Sequence, residues 1–166
     1  MQVKVNEHVV KKKMLQMLQK PLLKAKLEVT AMGIAQWVST MSKDTTKVGA
    51  VLIGPEGEIR MSAYNGPAIG VLDTPDKFVR PDKYMYAAHA EENIISFCAR
   101  EGIRTKGCIM VVTHQPCAHC TRKMIQAGLI GVVFGNGKFQ AIEEHLPFIE
   151  TMCNESGFIM NAFDPH

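Results

Sequence analysis

His89-Ala90-Glu91 and Pro116-Cys117-Ala118-His119-Cys120 are the stretches whose residue types and spacing could do chemistry. One histidine and two cysteines, His89, Cys117 and Cys120, make a three-ligand zinc set, and three protein ligands leave the fourth tetrahedral position open to water. That is a catalytic layout, not a closed structural one. Glu91, two residues past the histidine, would be a carboxylate near the ion without binding it, placed to move protons on and off the water. Two thiolates cancel the charge of the ion, so the water should be less acidic than on an all-histidine site and needs a nearby base more.

The same residues have plainer readings. A lone C-x-x-C could be half of a structural zinc site or a redox pair. No second C-x-x-C exists here to complete four ligands, and Cys98, Cys108 and Cys153 sit in apolar surroundings where packing is the expected role. His114 and His119 are alternative ligands, although neither has a carboxylate two residues on. His119 is expected exposed or just behind the ligands, and His114 at the pocket rim.

Positioning these motifs takes a modest scaffold. The chain has 166 residues, 46% hydrophobic and 21% charged, which suits one domain over 1–166 with residues 1–21 as an N-terminal extension. Leu23, Leu27, Ala31, Ile34, Val38 and Met41 recur at spacings of three and four and predict a helix over 22–41, with Pro21 at its start. Val48–Ile53 and Glu58–Ala63 flank the turn Gly54-Pro55-Glu56-Gly57 and read as a hairpin. A long loop, expected to be functional, is predicted over Tyr64–Pro81. Helices over about 89–101, 117–127 and 140–152 then alternate with strands over Cys108–Thr113, Ile130–Phe134 and Phe158–Met160. Strands joined through helices should be parallel, so the fold class is α/β: a mixed sheet with helices on both faces. Both motifs fall at helix N-termini, where free N–H groups and the dipole favour thiolates.

The net charge of +3, much of it from lysines near the start, does not demand a nucleic-acid polymer as partner, and a small anionic ligand fits as well. No apolar run is long enough to cross a membrane. An odd count of five cysteines without a disulfide framework favours a reducing, cytoplasmic setting.

The H-x-E…P-C-x-x-C pattern is similar to that of the zinc nucleobase deaminases. A narrower resemblance follows from the surrounding residues. Lys83-Tyr84-Met85-Tyr86-Ala87-Ala88-His89-Ala90-Glu91-Glu92-Asn93 resembles the K-Y-x-Y-x-x-H-A-E-x-N segment of deoxycytidylate (dCMP) deaminases, and Cys117–Cys120 followed by Ile125-Gln126-Ala127-Gly128 resembles that family's second motif. Ser42-Lys43-Asp44 before Lys47-Val48-Gly49-Ala50-Val51, and Tyr64-Asn65-Gly66, match its opening half. The likeness spans about residues 30–140.

The resemblance implies a cytidine-deaminase-like three-layer α/β/α fold with a mixed five-stranded sheet. It also implies hydrolysis of dCMP to dUMP and ammonia, supplying deoxyuridylate for thymidylate synthesis. Carried over by position, His89, Cys117 and Cys120 bind zinc and Glu91 is the proton shuttle, passing protons to N3 and the leaving amine. Asn65 would contact the sugar, Val48 would line the base pocket, and the backbone at Ala90 and Pro116 would read the pyrimidine edge. For Val48 and Asn65, a core valine and a turn asparagine are the ordinary alternatives. Ser42, Lys43 and Tyr86, inside the matching segments, are further substrate-binding candidates. Lys43, Lys47, Arg80 and Lys83 carry charge suited to a phosphate, although such lysines are often merely solvated.

The family also implies a homo-oligomer, commonly a hexamer, and dCTP and dTTP as effectors. Phe97 and Arg100 are the interface or regulatory candidates, with a solvated arginine as the ordinary alternative. Three departures stand out: Ala63 in place of a glycine before Tyr64, Phe139 where a tyrosine is common, and Ile94 in place of an alanine. The first two bear on phosphate recognition and feedback control, and the third on packing. Rival readings are deamination of dCTP or deoxycytidine, a tRNA adenosine or guanine-type deaminase, and an inactive zinc-stabilised nucleotide-binding module, which would have no use for Glu91.

Overall fold

The computed structural model describes residues 21–139 and 141–165; the expected extension over 1–21 falls almost wholly outside them. Helix α1 (Ala25–Ser39) is followed by the hairpin β1 (Gly49–Ile53) and β2 (Ile59–Tyr64), then by β3 (Gly66–Pro67), a 3-10 turn (Pro75–Phe78), the short α2 (Lys83–Tyr86) and β4 (Ala87–Ala88). The second half runs α3 (Ala90–Glu101), β5 (Ile109–His114), α4 (Ala118–Gln126), β6 (Gly131–Gly137), α5 (Ile142–Ser156) and β7 (Ile159–Ala162).

Five strands form one mixed sheet in the order β2-β1-β5-β6-β7. β1 is antiparallel to both β2 and β5, while β5, β6 and β7 are parallel. The β2–α3–β5 crossover therefore does join strands of one direction, with β1 inserted between them. Side chains alternate across the pleat. Ala50 and Leu52 face a core shared with Ile94, Cys98, Met124 and Phe158, and Val51 and Ile53 face one built by Ala31, Met32 and Ala35. This puts α1 on one face and α3 and α4 on the other, with α5 packed beside α4.

Two expectations need correction. Helix α1 begins at Ala25, not after Pro21, because Leu22 and Leu23 are used in packing ahead of it. Its buried face is Ala31, Met32 and Ala35, and Met41 lies beyond its end, 61% exposed. The small residues let the helix backbone settle on the sheet: a Cβ on Gly49 would lie 1.9 Å from the Ala35 carbonyl oxygen. The loop over 64–81 is also not continuous. β3 pairs antiparallel with β4, Gly66 opposite Ala88 and Pro67 opposite Ala87, so the segment between them is pinned at both ends next to His89.

Candidate active site

His89 is the extended residue just before α3, and Cys117 holds the same place before α4. The Cys117 sulfur accepts the Cys120 N–H at 3.4 Å, so the sulfur also caps its helix. Nδ1 of His89 lies 3.7 Å from Cys117 Sγ and 3.4 Å from Cys120 Sγ. The three donor atoms all lie within 4.8 Å of one another. Sulfur at about 2.3 Å and nitrogen at about 2.0–2.1 Å from a tetrahedral zinc stand about 3.5 Å apart, so the observed spacing and the soft N,S,S donor set fit that ion.

The groups prefer a thiolate–imidazolium arrangement. The Cys120 thiol hydrogen bond, acting against burial and helped by His89, lowers Cys117 to about 3. The bond to Cys117 raises His89 to about 9, and the separate bond between Cys120 and Cys117, together with burial, pushes the Cys120 thiol well up. A metal needs two thiolates and a neutral imidazole. At pH 7 the Cys120 thiol and His89 both still hold their protons, so chelator-stripped protein is expected to release about two protons per zinc taken up. Affinity should fall as pH falls. Indicator-dye titration in weak buffer measures the count, and release of no protons would mean that these groups are not the ligands.

Glu91, in the first turn of α3, is 4% exposed. Burial pushes its carboxyl above the ordinary range, opposed by the charge on His89. It lines one cavity together with His89, Cys117, Val48 and Asn65. Two further links hold the metal-side helices: Asn93 Nδ2 donates to the Tyr64 carbonyl at 2.8 Å, tying α3 to β2, and Lys123 pairs with Glu92 between α4 and α3. His145 Nδ1 accepts the Ala118 N–H at 3.0 Å, adding support from α5 to the start of α4.

The remaining candidates divide. Asn65 is buried, and its amide is spent on backbone: Oδ1 accepts the Val48 N–H at 2.8 Å and Nδ2 donates to Thr46 O at 2.9 Å. Ala90 and Pro116 are buried next to His89 and Cys117, and the cavity lining includes neither residue. Ser42 is a support behind the wall, its hydroxyl donating to Asn65 O at 2.9 Å and accepting the Asp44 N–H at 3.2 Å. Lys43 pairs with Asp73 at 2.8 Å on a neighbouring groove. Tyr86 is 44% exposed, with Lys77 Nζ 5.8 Å from its ring. Phe97 and Arg100 lie further along α3, the guanidinium carbon 5.0 Å from the ring and Nε 2.6 Å from Glu101. His119 is exposed and His114 lines the cavity.

Lys83, expected as a pocket-side charge for phosphate, does line the cavity, where it is buried with Nζ 3.1 and 3.2 Å from the two carboxylate oxygens of Asp44. Burial works against the Asp44 carboxylate, but the Thr46 N–H and Lys83 together hold it below its usual range. An ammonium out of water keeps its charge by pairing, and this one is already paired. Lys47 is similarly engaged, donating to the Ser42 carbonyl. Arg80 and Tyr84 line the same cavity as Lys83 and Asp44, with Thr46, Gln115 and Phe139. Thr46 and Gln115 were not singled out from sequence, since no spacing marks them. Tyr84, Asp44 and Asn93 stood inside quoted motifs without a role.

The model of a family described as the cytidine and deoxycytidylate deaminase zinc-binding region matches residues 25–136. The chain is 42% identical over 97 residues to an uncharacterized deaminase in the luxG 3' region of Aliivibrio fischeri, covering 58% of this chain and 63% of that protein. It is 34% identical over 120 residues to the deoxycytidylate deaminase of Mus musculus, covering 68% and 66%. For the deoxycytidylate deaminase of Homo sapiens the figures are 33% over 141 residues, covering 81% and 78%. The chain thus spans slightly under two thirds of the first two relatives. In structure it is similar to the dCMP deaminase of cyanophage S-TIM5 crystallised with dCMP and dUMP, with a TM-score of 0.69 at 23% identity over 85% of this chain and 99% of that one. At that identity the likeness speaks for the fold.

Proposed function

This chain belongs to the cytidine and deoxycytidylate deaminase zinc-binding family, and from that premise we propose that it hydrolyses the 4-amino group of dCMP, giving dUMP and ammonia. The observation carrying the proposal is the meeting of the His89, Cys117 and Cys120 donors, all within 4.8 Å of one another, with the buried Glu91 carboxylate at a cavity that His89, Cys117 and Glu91 line. His89, Cys117 and Cys120 would hold zinc. When bound, zinc supplies a Lewis acid that makes water nucleophilic near neutral pH. Glu91 takes one proton from the water as its oxygen bonds to C4 and passes it to N3, then takes the proton left on that oxygen and passes it to the amino nitrogen as the C4–N bond breaks and the carbonyl forms. Val48 walls the base; the family resemblance assigns the pyrimidine edge to the backbone at Ala90 and Pro116, although neither residue lines the cavity. Asn65 holds the start of β1 and borders the sugar. Arg80 and Lys83, both on the cavity wall, are the cations proposed to meet the phosphate.

A charge-assisted bond to phosphate contributes about 1.5–3 kcal/mol, so losing the phosphate should lower kcat/KM by roughly 10- to 100-fold. On a panel of dCMP, dCTP, deoxycytidine, CMP and tRNA, followed by cytosine absorbance or ammonia release, dCMP should stand well above deoxycytidine, with CMP weaker and tRNA inert. Equal rates on dCMP and deoxycytidine would remove the phosphate argument. Activity on tRNA alone would replace the reading.

The proposal extends to a homo-oligomer, hexameric by the family resemblance, with dCTP and dTTP as effectors and Phe97 and Arg100 at the subunit boundary. A stable monomer in light scattering at micromolar concentration would rule out the assembly.

A further inference from the structure

His114 ends β5, where the parallel pairing with β6 slips between Val112 and His114 and sets His114 opposite Gly137. A Cβ on Gly137 would lie 2.4 Å from Cγ, 2.4 Å from Cδ2 and 2.6 Å from Cε1 of the His114 ring. Near-equal distances to three ring atoms mean that the face of the imidazole lies against the Gly137 backbone, which is closed further by the Gln115 N–H donating to Gly137 O at 2.8 Å. Nδ1 is 3.0 Å from the Thr113 hydroxyl, and that hydroxyl accepts the Gly49 N–H at 3.2 Å. The hydroxyl keeps a second lone pair and its own proton, and we take the tautomer in which that proton goes to Nδ1. The ring's proton is then on Nε2.

We propose that His114 is a specificity residue whose Nε2–H donates a hydrogen bond to an uncharged acceptor oxygen on the nucleoside part of the substrate, the pyrimidine carbonyl or a sugar oxygen. The inference rests on the dCMP reading above and names a contact within the cavity that His114 lines with Glu91, Cys117 and Asn65. A locked ring with one free donor loses little freedom on binding, which makes it a reader of position. Half-burial lowers the proton affinity of His114 and keeps the ring neutral. A phosphate oxygen would instead favour an imidazolium, which burial disfavours.

The test measures kcat and KM on both dCMP and deoxycytidine for the zinc-loaded full chain, with zinc per chain determined alongside. His114→Phe keeps a ring without the donor and is expected to lower kcat/KM about 10-fold on both substrates, the scale of one neutral hydrogen bond, with zinc unchanged. His114→Gln, whose amide N–H can stand near the Nε2 place, should recover most of that loss. Gly137→Ala, which displaces the ring without touching its chemistry, should repeat the His114→Phe loss on both substrates. Unchanged kcat/KM in His114→Phe overturns the inference, as does a loss confined to dCMP, which would mark a phosphate contact. Zinc loss in both His114 variants would make the role structural and overturn it too. A wild-type chain inactive on dCMP fails the functional reading, and the inference falls with it.

Discussion

Glu91→Gln is expected to fold, to keep zinc, and to lose turnover of dCMP by about 10²–10⁴-fold or more, the range a positioned acid–base group contributes. The carboxyl sits in the first turn of α3, two residues past His89 and almost wholly out of water. Burial makes its charged form less favourable, so its proton leaves less readily than from a surface glutamate and can be exchanged with substrate nearer neutral pH. The amide has the same shape and volume but can neither accept a proton from water nor return one. Fold and metal should therefore survive while chemistry stops. Atomic absorption for zinc beside the rate of dCMP loss separates these quantities, and near-normal turnover in Glu91→Gln would take Glu91 out of the mechanism.

Cys120→Ser should fail in the opposite way, losing the metal first and the activity as a consequence. Cys120 is 2% exposed, in the first turn of α4, with its sulfur 3.4 Å from His89 Nδ1. A serine hydroxyl is a harder donor that stays protonated at neutral pH, so one of three ligands is lost outright. Losing a hydrogen bond that merely supports a ligand costs roughly 10–100-fold in metal affinity, and losing the ligand itself should exceed that. Wild-type protein stripped with a chelator should regain activity when zinc is returned, and Cys120→Ser should not. Full zinc occupancy of Cys120→Ser after dialysis against the same chelator would remove Cys120 from the ligand set. Because Glu91→Gln keeps zinc and Cys120→Ser does not, the pair tells proton transfer from metal binding.

Much of the sheet and of the chemical motif was legible from residues alone. Apolar runs marked β1 and β5 to within a residue, because a strand buried on both faces leaves little but apolar residues in its sequence; the Gly54-Pro55 turn marked the edge strand β2, and β6 runs three residues past its expected end at Phe134. The start of α1 was not, since Leu22 and Leu23 continue its apolar period while packing outside the helix. The short α2 and the β3–β4 pair were missed for a related reason. Two-residue strands and a four-residue helix have no period to read, and they exist because the chain on either side is held.

The sequence by itself singled out His89, Cys117 and Cys120 as the candidate ligand set, and its setting at two helix starts. His89 and Glu91 are two residues apart and Cys117 and Cys120 three, so once each motif starts a helix its groups share one end of it, and that geometry is local. Only the tertiary structure decided which nearby polar groups remain for a substrate. Asp44 takes Lys83 from 39 residues away, the Asn65 amide is committed to Thr46 and Val48, and Gly49 and Gly137 reach across the sheet to fix Thr113 and His114. Whether a charge is free or paired depends on which distant residue shares its low-dielectric surroundings, and on a ring's neighbours depends which nitrogen carries its proton. Composition and spacing hold no record of such pairings, because they form between chain segments that meet through the packing of the sheet and its helices.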